Sequence, residues 1–284
     1  MRLDYILKGI QISSAEGPLD IEIPDITSDS RLCRPGCLFI AIPGFDSDGH
    51  DYIDKAAEAG AAAVIYQRPE ALNAIRTKGM SAVRVKDTRM ATALIAGNFF
   101  GHPSRDLHLV GVTGTNGKTT IATLLYRLFT SLGYCCGLLS TIANYICGER
   151  FETTNTTQDP ITLNRLMRMM ADRGCQYCFM EVSSHALHQG RVAGLSFRGA
   201  IFTNITHDHL DYHKTFTEYI RCKKLLFDSL DRSAFALINS DDRNASVMVQ
   251  NTAARVYRYS EGSMAEFKVR IVERSLEGYL LSLD

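Results

Sequence analysis

A short glycine-containing loop between an apolar strand and a helix constrains the fold of this chain more than any other feature. Residues 107–112 are predicted to form a buried strand, and residues 121–132 a helix that ends at Gly133. The loop between them contains Gly114, Thr115, Asn116, Gly117, Lys118, Thr119 and Thr120. Such a loop directs backbone N–H groups and the positive end of the next helix at an anion. The segment predicts a phosphate-binding loop in a doubly wound sheet.

The loop departs from the standard pattern G-x-x-x-x-G-K-[ST] at its first position, where this chain has Val112. We interpret it as a variant of the motif, because strand, loop, Gly-Lys-Thr and helix all agree. Lys118 can then reach terminal phosphates, and the hydroxyl of Thr119 can bind Mg²⁺. The predicted cofactors are ATP and Mg²⁺. The alternative is a glycine-rich turn that carries a surface lysine.

Strand and helix patterns alternate along most of the chain, which favours the α/β class. After the loop, the predicted strands and helices lie at residues 137–142, 162–173, 177–182, 199–204, 218–230 and 234–239. This order predicts a mostly parallel, doubly wound, P-loop ATPase-like domain. Residues 1–100 show the same alternation on a smaller scale, residues 101–106 are a predicted linker, and residues 267–272 and 279–283 can pair as a hairpin. We predict domains at residues 1–100 and 101–284.

Charge and cysteine content narrow the functional classes. Lys plus Arg number 31, as do Asp plus Glu, so bulk charge gives no reason to expect nucleic acid or an anionic membrane as partner. Charges at Arg2, Asp4 and Lys8 interrupt any signal-peptide core, which predicts a cytoplasmic protein without membrane insertion. The eight cysteines are then expected to be reduced thiols. A zinc site built from the pairs 33/37 and 175/178 is disfavoured, because the pairs lie far apart in the chain.

Acidic and histidine residues follow two of the predicted strands. Glu181 ends one strand, and its side chain can be interpreted either as a metal ligand or as a simple surface carboxylate. Residues 203–213 then hold three histidines and two aspartates, and His207, His209, Asp211 and His213 nearly match the zinc hydrolase pattern H-x-H-x-D-H. The phosphate loop upstream favours an Mg²⁺–nucleotide site over a zinc hydrolase.

Several motifs together resemble the Mur ligase family, and within it the UDP-N-acetylmuramoyl-tripeptide synthetase (MurE) type. The matching stretches are TSDSR at residues 27–31, PG at 35–36, DGH at 48–50, GVTGTNGKTT at 111–120, NTT at 155–157, MEVSSHAL at 180–187, QGR at 189–191, FTN at 202–204 and DHLDYH at 208–213. The resemblance spans most of the chain. It implies a small N-terminal α/β domain that binds the uridine nucleotide, followed by the central ATP-binding domain.

The resemblance also assigns expected roles to individual residues. The catalytic set is Lys118, Glu181, His209 and Lys223, and the metal ligands are Thr119, Glu181, His209 and a carbamylated Lys223, with Lys224 as the register alternative. The expected substrate-binding residues are Ser28, Ser30, Phe45, Asp46, Ser47, Asn155, Thr156, Thr157, Ser183, Gln189 and Arg191. A carbamate would convert a cationic lysine into an anionic metal ligand, which explains a lysine beside Mg²⁺.

The implied reaction is ATP-dependent amide-bond formation. The D-Glu carboxylate of UDP-MurNAc-L-Ala-D-Glu would be phosphorylated and then attacked by a free amino acid, either diaminopimelate or lysine. Family members carry a C-terminal amino-acid-binding domain, which we do not find in these 284 residues, so we expect the chain alone to be catalytically weak or inactive. The competing hypotheses are an inactive nucleotide- or UDP-sugar-binding module and the zinc-dependent hydrolase.

Overall fold

The structure, a computed structural model, describes residues 1–44, 47–153, 155–208, 210–275 and 278–284, and for residues 210 and 279 it describes the backbone only. The chain divides into two compact units. The N-terminal unit comprises Met1–Pro103, Asp159–Arg168 and Gln189–Leu195, and the central unit comprises Ser104–Gln158, Met169–His188 and Ser196–Asp284. Within the described residues, no helix has the length and apolar run needed to cross a bilayer.

Helices and strands alternate along both units. The α-helices are α1 Leu3–Ile6, α2 Ile53–Glu58, α3 Leu72–Thr77, α4 Thr88–Phe99, α5 Lys118–Ser131, α6 Pro160–Asp172, α7 Ser184–His188, α8 Leu210–His213, α9 Phe216–Asp228 and α10 Ala245–Met248. The strands are β1 Ile12–Glu16, β2 Ile26–Thr27, β3 Leu38–Ile40, β4 Ala63–Tyr66, β5 Ser81–Val85, β6 His108–Thr113, β7 Cys136–Leu139, β8 Asn144–Ile146, β9 Glu149–Phe151, β10 Tyr177–Glu181, β11 Gly199–Phe202, β12 Phe235–Asn239, β13 Arg255–Ser260, β14 Phe267–Ser275 and β15 Gly278–Leu283. Short 3₁₀ turns lie at Ser30–Leu32, Gly49–Tyr52, Pro69–Ala71 and Pro103–Arg105.

The N-terminal unit is built on a five-stranded sheet in the order β1-β5-β4-β3-β2. Strands β2 to β5 pair in parallel and β1 joins β5 antiparallel. Alternate residues of the parallel strands enter different cores: Ile40 and Ile65 pack in one, Phe39 and Val64 in the other. Burial on both faces explains why these strands are continuous apolar runs in the sequence.

The described strands of the central unit form a larger sheet in the order β15-β14-β13-β12-β11-β6-β10-β7-β8-β9. The strands from β14 to β7 run parallel, and β8, β9 and β15 are added antiparallel at the edges. Strand β6 lies between β11 and β10, with Val110 level with Phe179. The carboxyl ends of β6, β10, β7 and β11 therefore meet at one edge, where a doubly wound sheet places its ligand crevice.

The α/β class with mainly parallel sheets is confirmed, as is the terminal hairpin of β14 and β15. The β8–β9 hairpin and β13 were not predicted from sequence. These strands are short or lie near a sheet edge, and their apolar runs are weak. The domain boundary at residue 100 remains a prediction, and the two compact units described above are each built from several segments of the chain.

The expectation that every cysteine is a reduced thiol is wrong for one pair, because Cys135 and Cys147 form a disulfide. The expectation came from the predicted compartment and the absence of an export signal. Neither indicates which thiols the fold brings within bonding distance. Here the β8–β9 turn carries Cys147 back to Cys135, which directly precedes β7.

Two adjacent leucines of α9 test the burial pattern. Leu226 is fully buried, whereas Leu225 is 43% exposed. Leu226→Ala should lower the free energy of unfolding by about 2–5 kcal/mol, because it leaves a cavity in the core. Leu225→Ala should cost less than about 1 kcal/mol. Urea unfolding of both variants measures the difference, and equal losses would contradict the assigned face of α9.

Candidate functional site

The loop after β6 is shaped by two glycines. Gly114 has φ 153° and Gly117 has φ 84°, a left-handed conformation at the N-cap of α5. A Cβ on Gly114 would overlap Thr203 Oγ1 and lie 2.9 Å from the carbonyl oxygen of Asn204. Glycine is therefore required at this point because another backbone segment passes against the loop.

That segment follows β11 and is hydrogen-bonded to the loop. The N–H groups of Thr115 and Asn116 donate to the carbonyl oxygen and to Oδ1 of Asn204, at 2.8 and 3.1 Å. Thr203 Oγ1 donates to the carbonyl of Asn116 at 2.6 Å, and the N–H of Thr206 donates to Thr115 Oγ1 at 3.0 Å. The N–H groups of Thr115 and Asn116, in the first half of the loop, are therefore already bonded to acceptors within the protein. The anion-facing groups of the predicted cofactor site are then those at the start of α5.

Helix α5 begins at Lys118, whose side chain folds over the loop. Its Nζ donates to the carbonyl oxygens of Gly114 and Thr115 at 3.0 and 2.9 Å. Burial lowers the pKa of Lys118, while the carboxylates of Glu181 and Asp208 act in the opposite direction. The ammonium is thus positioned beside the first turn of α5, where a phosphate would add a third negative neighbour.

Glu181, at the end of β10, is fully buried and held by three hydrogen bonds. Its Oε2 accepts from Thr119 Oγ1 at 2.8 Å and from Thr141 Oγ1 at 3.1 Å, and its Oε1 accepts from the N–H of Thr141 at 2.8 Å. A carboxylate and a threonine hydroxyl in contact are hard oxygen donors, which is the chemistry that Mg²⁺ prefers. The donor set of Thr119 and Glu181 therefore fits a magnesium ion.

Part of the predicted substrate set lies beside Glu181. Thr156 Oγ1 and Thr141 Oγ1 lie 3.1 Å apart, at hydrogen-bonding distance. Thr157 Oγ1 donates to the carbonyl of Glu181 at 2.8 Å and accepts from the N–H of Ser183 at 3.1 Å. The carbonyl of Asn155 accepts from Thr153 Oγ1 at 2.9 Å and from Gln158 Nε2 at 3.2 Å. The structure thus brings Thr156, Thr157 and Ser183 to the same strand end as Glu181.

The two adjacent lysines of α9 point to different partners. Lys223 is almost fully buried, and its Nζ donates to the carbonyl of Gly114 at 2.7 Å and lies 4.6 Å from the centroid of the Tyr219 ring. Lys224 instead pairs with Asp228 at 2.5 Å. Burial, reinforced by the Lys118 cation, lowers the pKa of Lys223 to about 7. Lys223 is thus the lysine that reaches the loop. With this pKa, its amine exchanges between the neutral and the protonated form near pH 7.

The histidine-rich segment is only partly described, because His209 lies outside the described residues. His207 stacks on Phe216 with ring centroids 4.4 Å apart. His213 is buried and shares a hydrogen bond of 2.9 Å with Ser184 Oγ. Within the described part of the segment, no group of three side chains gathers as metal ligands. The described geometry offers no support for the zinc hydrolase pattern.

The remaining predicted substrate residues belong to the N-terminal unit. A cavity of about 570 Å³ is lined by Ser28, Ser30 and Ser47, with the cationic side chains of Arg31 and Lys55 at its wall. Phe45 and Asp46, also predicted here, lie outside the described residues. In the same unit, Arg191 donates from Nε and a terminal nitrogen to Gln189 Oε1 at 2.9 and 2.6 Å.

Sequence reasoning missed three residues that shape the central site. Thr141 bridges Glu181 and Thr156, Asn204 holds the loop, and the hydroxyl of Tyr219 lies 3.2 Å from Thr115 Oγ1. Thr141 and Asn204 both follow strands whose ends were predicted to face the ligand crevice, so position alone could have identified them. Tyr219 carried no signal beyond its place one helical turn before Lys223.

Comparison with known proteins agrees with this geometry. Residues 112–283 match the Mur ligase middle domain, and residues 22–99 match the Mur ligase family, catalytic domain. The chain is 50% identical over 285 residues to a UDP-N-acetylmuramoyl-L-alanyl-D-glutamate--2,6-diaminopimelate ligase of Phocaeicola vulgatus, and the match covers all of this chain and 58% of that protein.

Solved structures show the same fold. A UDP-N-acetylmuramoyl-L-alanyl-D-glutamate--2,6-diaminopimelate ligase superposes with a TM-score of 0.82 at 27% identity, covering 100% of this chain and 57% of the other. MurF from Acinetobacter baumannii superposes with a TM-score of 0.68 at 17% identity, covering 99% and 60%. The chain belongs to the Mur ligase family. It spans somewhat more than half the length of these relatives.

The buried amine of Lys223 makes a testable contribution to stability. Its pKa of about 7 lies below the ordinary 10.5, so between these values the unfolded chain binds more protons than the folded chain. The free energy of unfolding should therefore rise with pH from 7 to 10, by up to about 1.4 kcal/mol per pH unit, relative to Lys223→Met. Urea unfolding at several pH values measures this. Lys224→Met is the control and should keep the wild-type pH dependence, and an identical dependence in Lys223→Met would refute the assignment.

Proposed function

We propose that this chain supplies the nucleotide-binding and UDP-sugar-binding units of an ATP-dependent ligase. The enzyme would join 2,6-diaminopimelate to the D-Glu carboxylate of UDP-MurNAc-L-Ala-D-Glu, a step of peptidoglycan precursor synthesis, in the cytoplasm. The observation that carries the proposal is the hydrogen-bonded series Thr119–Glu181–Thr141–Thr156. It links residues predicted for phosphate and metal to a residue predicted for the muramoyl-peptide. The choice of diaminopimelate rests on the names of the relatives.

In this proposal the first turn of α5 and Lys118 bind the phosphates of ATP. Thr119 and Glu181 would hold Mg²⁺, with His209 as a further proposed ligand. The ion would neutralise charge on the transferring phosphoryl group. Glu181 needs no large rearrangement for this role, since Thr141 already fixes both of its oxygens.

The proposed chemistry has two transfers. A carboxylate oxygen of the substrate D-Glu attacks the γ-phosphorus of ATP, the bond to the bridging oxygen breaks, and ADP leaves with its electron pair. The amine of the incoming amino acid then attacks the acyl phosphate, loses a proton, and displaces inorganic phosphate. Lys118 and its neighbours contribute position and charge neutralisation. Thr156, Thr157 and Ser183 would place the muramoyl-peptide beside them.

Lys223 is proposed to carry a carbamate. The ammonium first loses one proton. The neutral amine then attacks the carbon of CO₂ and releases a second proton, so the side chain changes from a cation to an anion. The lowered pKa supports this step, because only the neutral amine is a nucleophile. The burial of Nζ beside Gly114 and the Tyr219 ring also supports it, since a carbamate formed there would face the cation of Lys118.

The uridine nucleotide is proposed to bind the N-terminal unit at the cavity lined by Ser28, Ser30 and Ser47. Hydroxyl groups there can donate to the uracil carbonyls or the diphosphate, and Lys55 supplies positive charge, while Arg31 at the wall is paired with Asp29. Gln189 and Arg191 would orient the anionic dipeptide. Arg191 donates twice to Gln189 Oε1, which fixes its guanidinium relative to Gln189.

Magnesium-dependent ATP binding tests the central site. Glu181→Gln and Thr119→Val should each weaken ATP binding at least tenfold in the presence of Mg²⁺, and much less when EDTA removes it, because they change metal donors. Isothermal titration calorimetry of the 284-residue chain measures the affinities. Glu218→Gln, an exposed carboxylate of α9, is the control. If neither Glu181→Gln nor Thr119→Val weakens ATP binding in the presence of Mg²⁺, the nucleotide role of this site is refuted.

Filling the cavity of the N-terminal unit tests the second substrate. Ser28→Leu should reduce binding of UDP-MurNAc-L-Ala-D-Glu at least tenfold and leave ATP binding unchanged, because the apolar side chain occupies the cavity and removes a hydroxyl. Ser13→Leu, at an exposed position of β1, should bind like the wild type. Wild-type chain that binds ATP but not this UDP-sugar would instead favour the hypothesis of a repurposed nucleotide-binding module.

A further inference from the structure

Three cysteine side chains from separate segments meet at one point in the central unit. Cys135 precedes β7, Cys147 lies in the β8–β9 turn, and Cys175 precedes β10. The Sγ of Cys175 lies 3.4 Å from that of Cys135 and 3.5 Å from that of Cys147, and the latter two are bonded to each other. Among the described residues, these three form the group whose ligand atoms all lie within 4.8 Å of one another.

The backbone around the three sulfurs is fixed by the sheet. The N–H of Cys147 donates to the carbonyl of Cys136 at 3.0 Å, and the N–H of Gln176 donates to the carbonyl of Cys135 at 2.9 Å. The N–H of Cys175 donates to the carbonyl of Met170 at 2.9 Å. The sulfur positions are therefore set by strand pairing and by the end of α6.

The backbone of Cys147 is an independent indication that its sulfur has a role. Cys147 has φ 48° and the following Gly148 has φ 87°, so both residues of this two-residue hairpin turn are left-handed. Such turns strongly favour Asn-Gly or Gly-Gly, and a residue with a Cβ costs roughly 1–2 kcal/mol there. A cysteine in this position is unfavourable for the turn, but it brings a third sulfur to the other two.

The arrangement suits metal coordination better than thiol–disulfide exchange. An attacking thiolate approaches along the S–S axis, whereas Cys175 Sγ is almost equidistant from both bonded sulfurs and so lies beside the bond. Three thiolates around a zinc ion with bonds of about 2.3 Å would be about 3.8 Å apart. Cys175 is already close to that separation from both partners.

We propose that Cys135, Cys147 and Cys175, once the Cys135–Cys147 bond is reduced, form a binding site for one thiophilic divalent metal ion such as Zn²⁺. A thiol reductant supplies two electrons and two protons to the disulfide and is itself oxidised. The ion then displaces three thiol protons. A water molecule completes a tetrahedral set from the side of Cys147, which is exposed.

This site is separate from the proposed nucleotide site. Cys135 and Cys175 precede β7 and β10, whereas Thr141 and Glu181 lie at or beyond the opposite ends of the same strands. A strand of four or five residues spans about 13–17 Å, so a metal bound by the cysteines cannot contact Thr119 or Glu181. The proposal therefore does not depend on the proposed function.

Metal binding to the 284-residue chain tests the proposal. The chain is reduced with a phosphine, which is not itself a thiol, equilibrated with Zn²⁺ and desalted, and its zinc content is measured by mass spectrometry. We expect one zinc per chain in the wild type and at least a tenfold weaker zinc affinity in Cys147→Ser and Cys175→Ser. Cd²⁺ in place of Zn²⁺ should give a thiolate charge-transfer band whose intensity corresponds to three sulfurs.

Two controls make the result specific. Cys33→Ser also removes one thiol, but in the N-terminal unit, and should retain full zinc binding. Wild-type chain oxidised with diamide should bind no zinc, because two of the ligands are then in the disulfide. Substoichiometric zinc in the reduced wild type, or equal losses in Cys33→Ser and Cys175→Ser, would overturn the proposal. If a serine variant fails to fold by circular dichroism, the cadmium band of the wild type decides alone, and a band of fewer than three thiolates refutes the site.

Discussion

The buried carboxylate of Glu181 is the interaction on which the central unit depends most. A charged group with no exposed surface is costly unless it is hydrogen-bonded, and each bond to a charged acceptor contributes about 1.5–3 kcal/mol. The donors are Thr119, in the first turn of α5, and Thr141, which follows β7. The side chain of Glu181 therefore joins the ends of β10 and β7 to α5. The same bonds orient the two oxygens that are proposed to bind a metal ion. Stability and the proposed function thus rest on the same contacts.

A second constraint is the meeting of two amines at one carbonyl. Lys118 and Lys223 both donate to the carbonyl of Gly114, at 3.0 and 2.7 Å. Burial lowers the pKa of both amines, and the nearby Lys118 cation lowers that of Lys223 further, to about 7. An electrostatic imbalance of this kind is typical of sites that bind anions or use a neutral amine. In the proposed function, Lys118 binds phosphate and Lys223 carries a carbamate.

Much of the fold was predictable because its strands are long apolar runs punctuated by glycine. The strands β6, β10 and β11 and the helices α5, α6 and α9 were all predicted within a few residues. The β8–β9 hairpin was not, because three-residue strands give no period that a window can detect. The disulfide was missed for a related reason: it depends on that hairpin, and the twelve-residue separation of Cys135 and Cys147 carries no signal by itself.

The residues of the candidate site likewise fall into those that the sequence identifies and those that only the tertiary structure identifies. The sequence by itself determined the glycine loop, the acidic residue at the end of β10 and the family motifs, because local chemistry and strand order are written in neighbouring residues. Only the tertiary structure decided that Lys223 rather than Lys224 reaches Gly114, and that Thr141 and Asn204 hold the site. It also decided that three cysteines from distant segments converge. These facts depend on which helix face and which strand ends the packing brings together, and residues separated by 12 to 109 positions encode that only through the folded core.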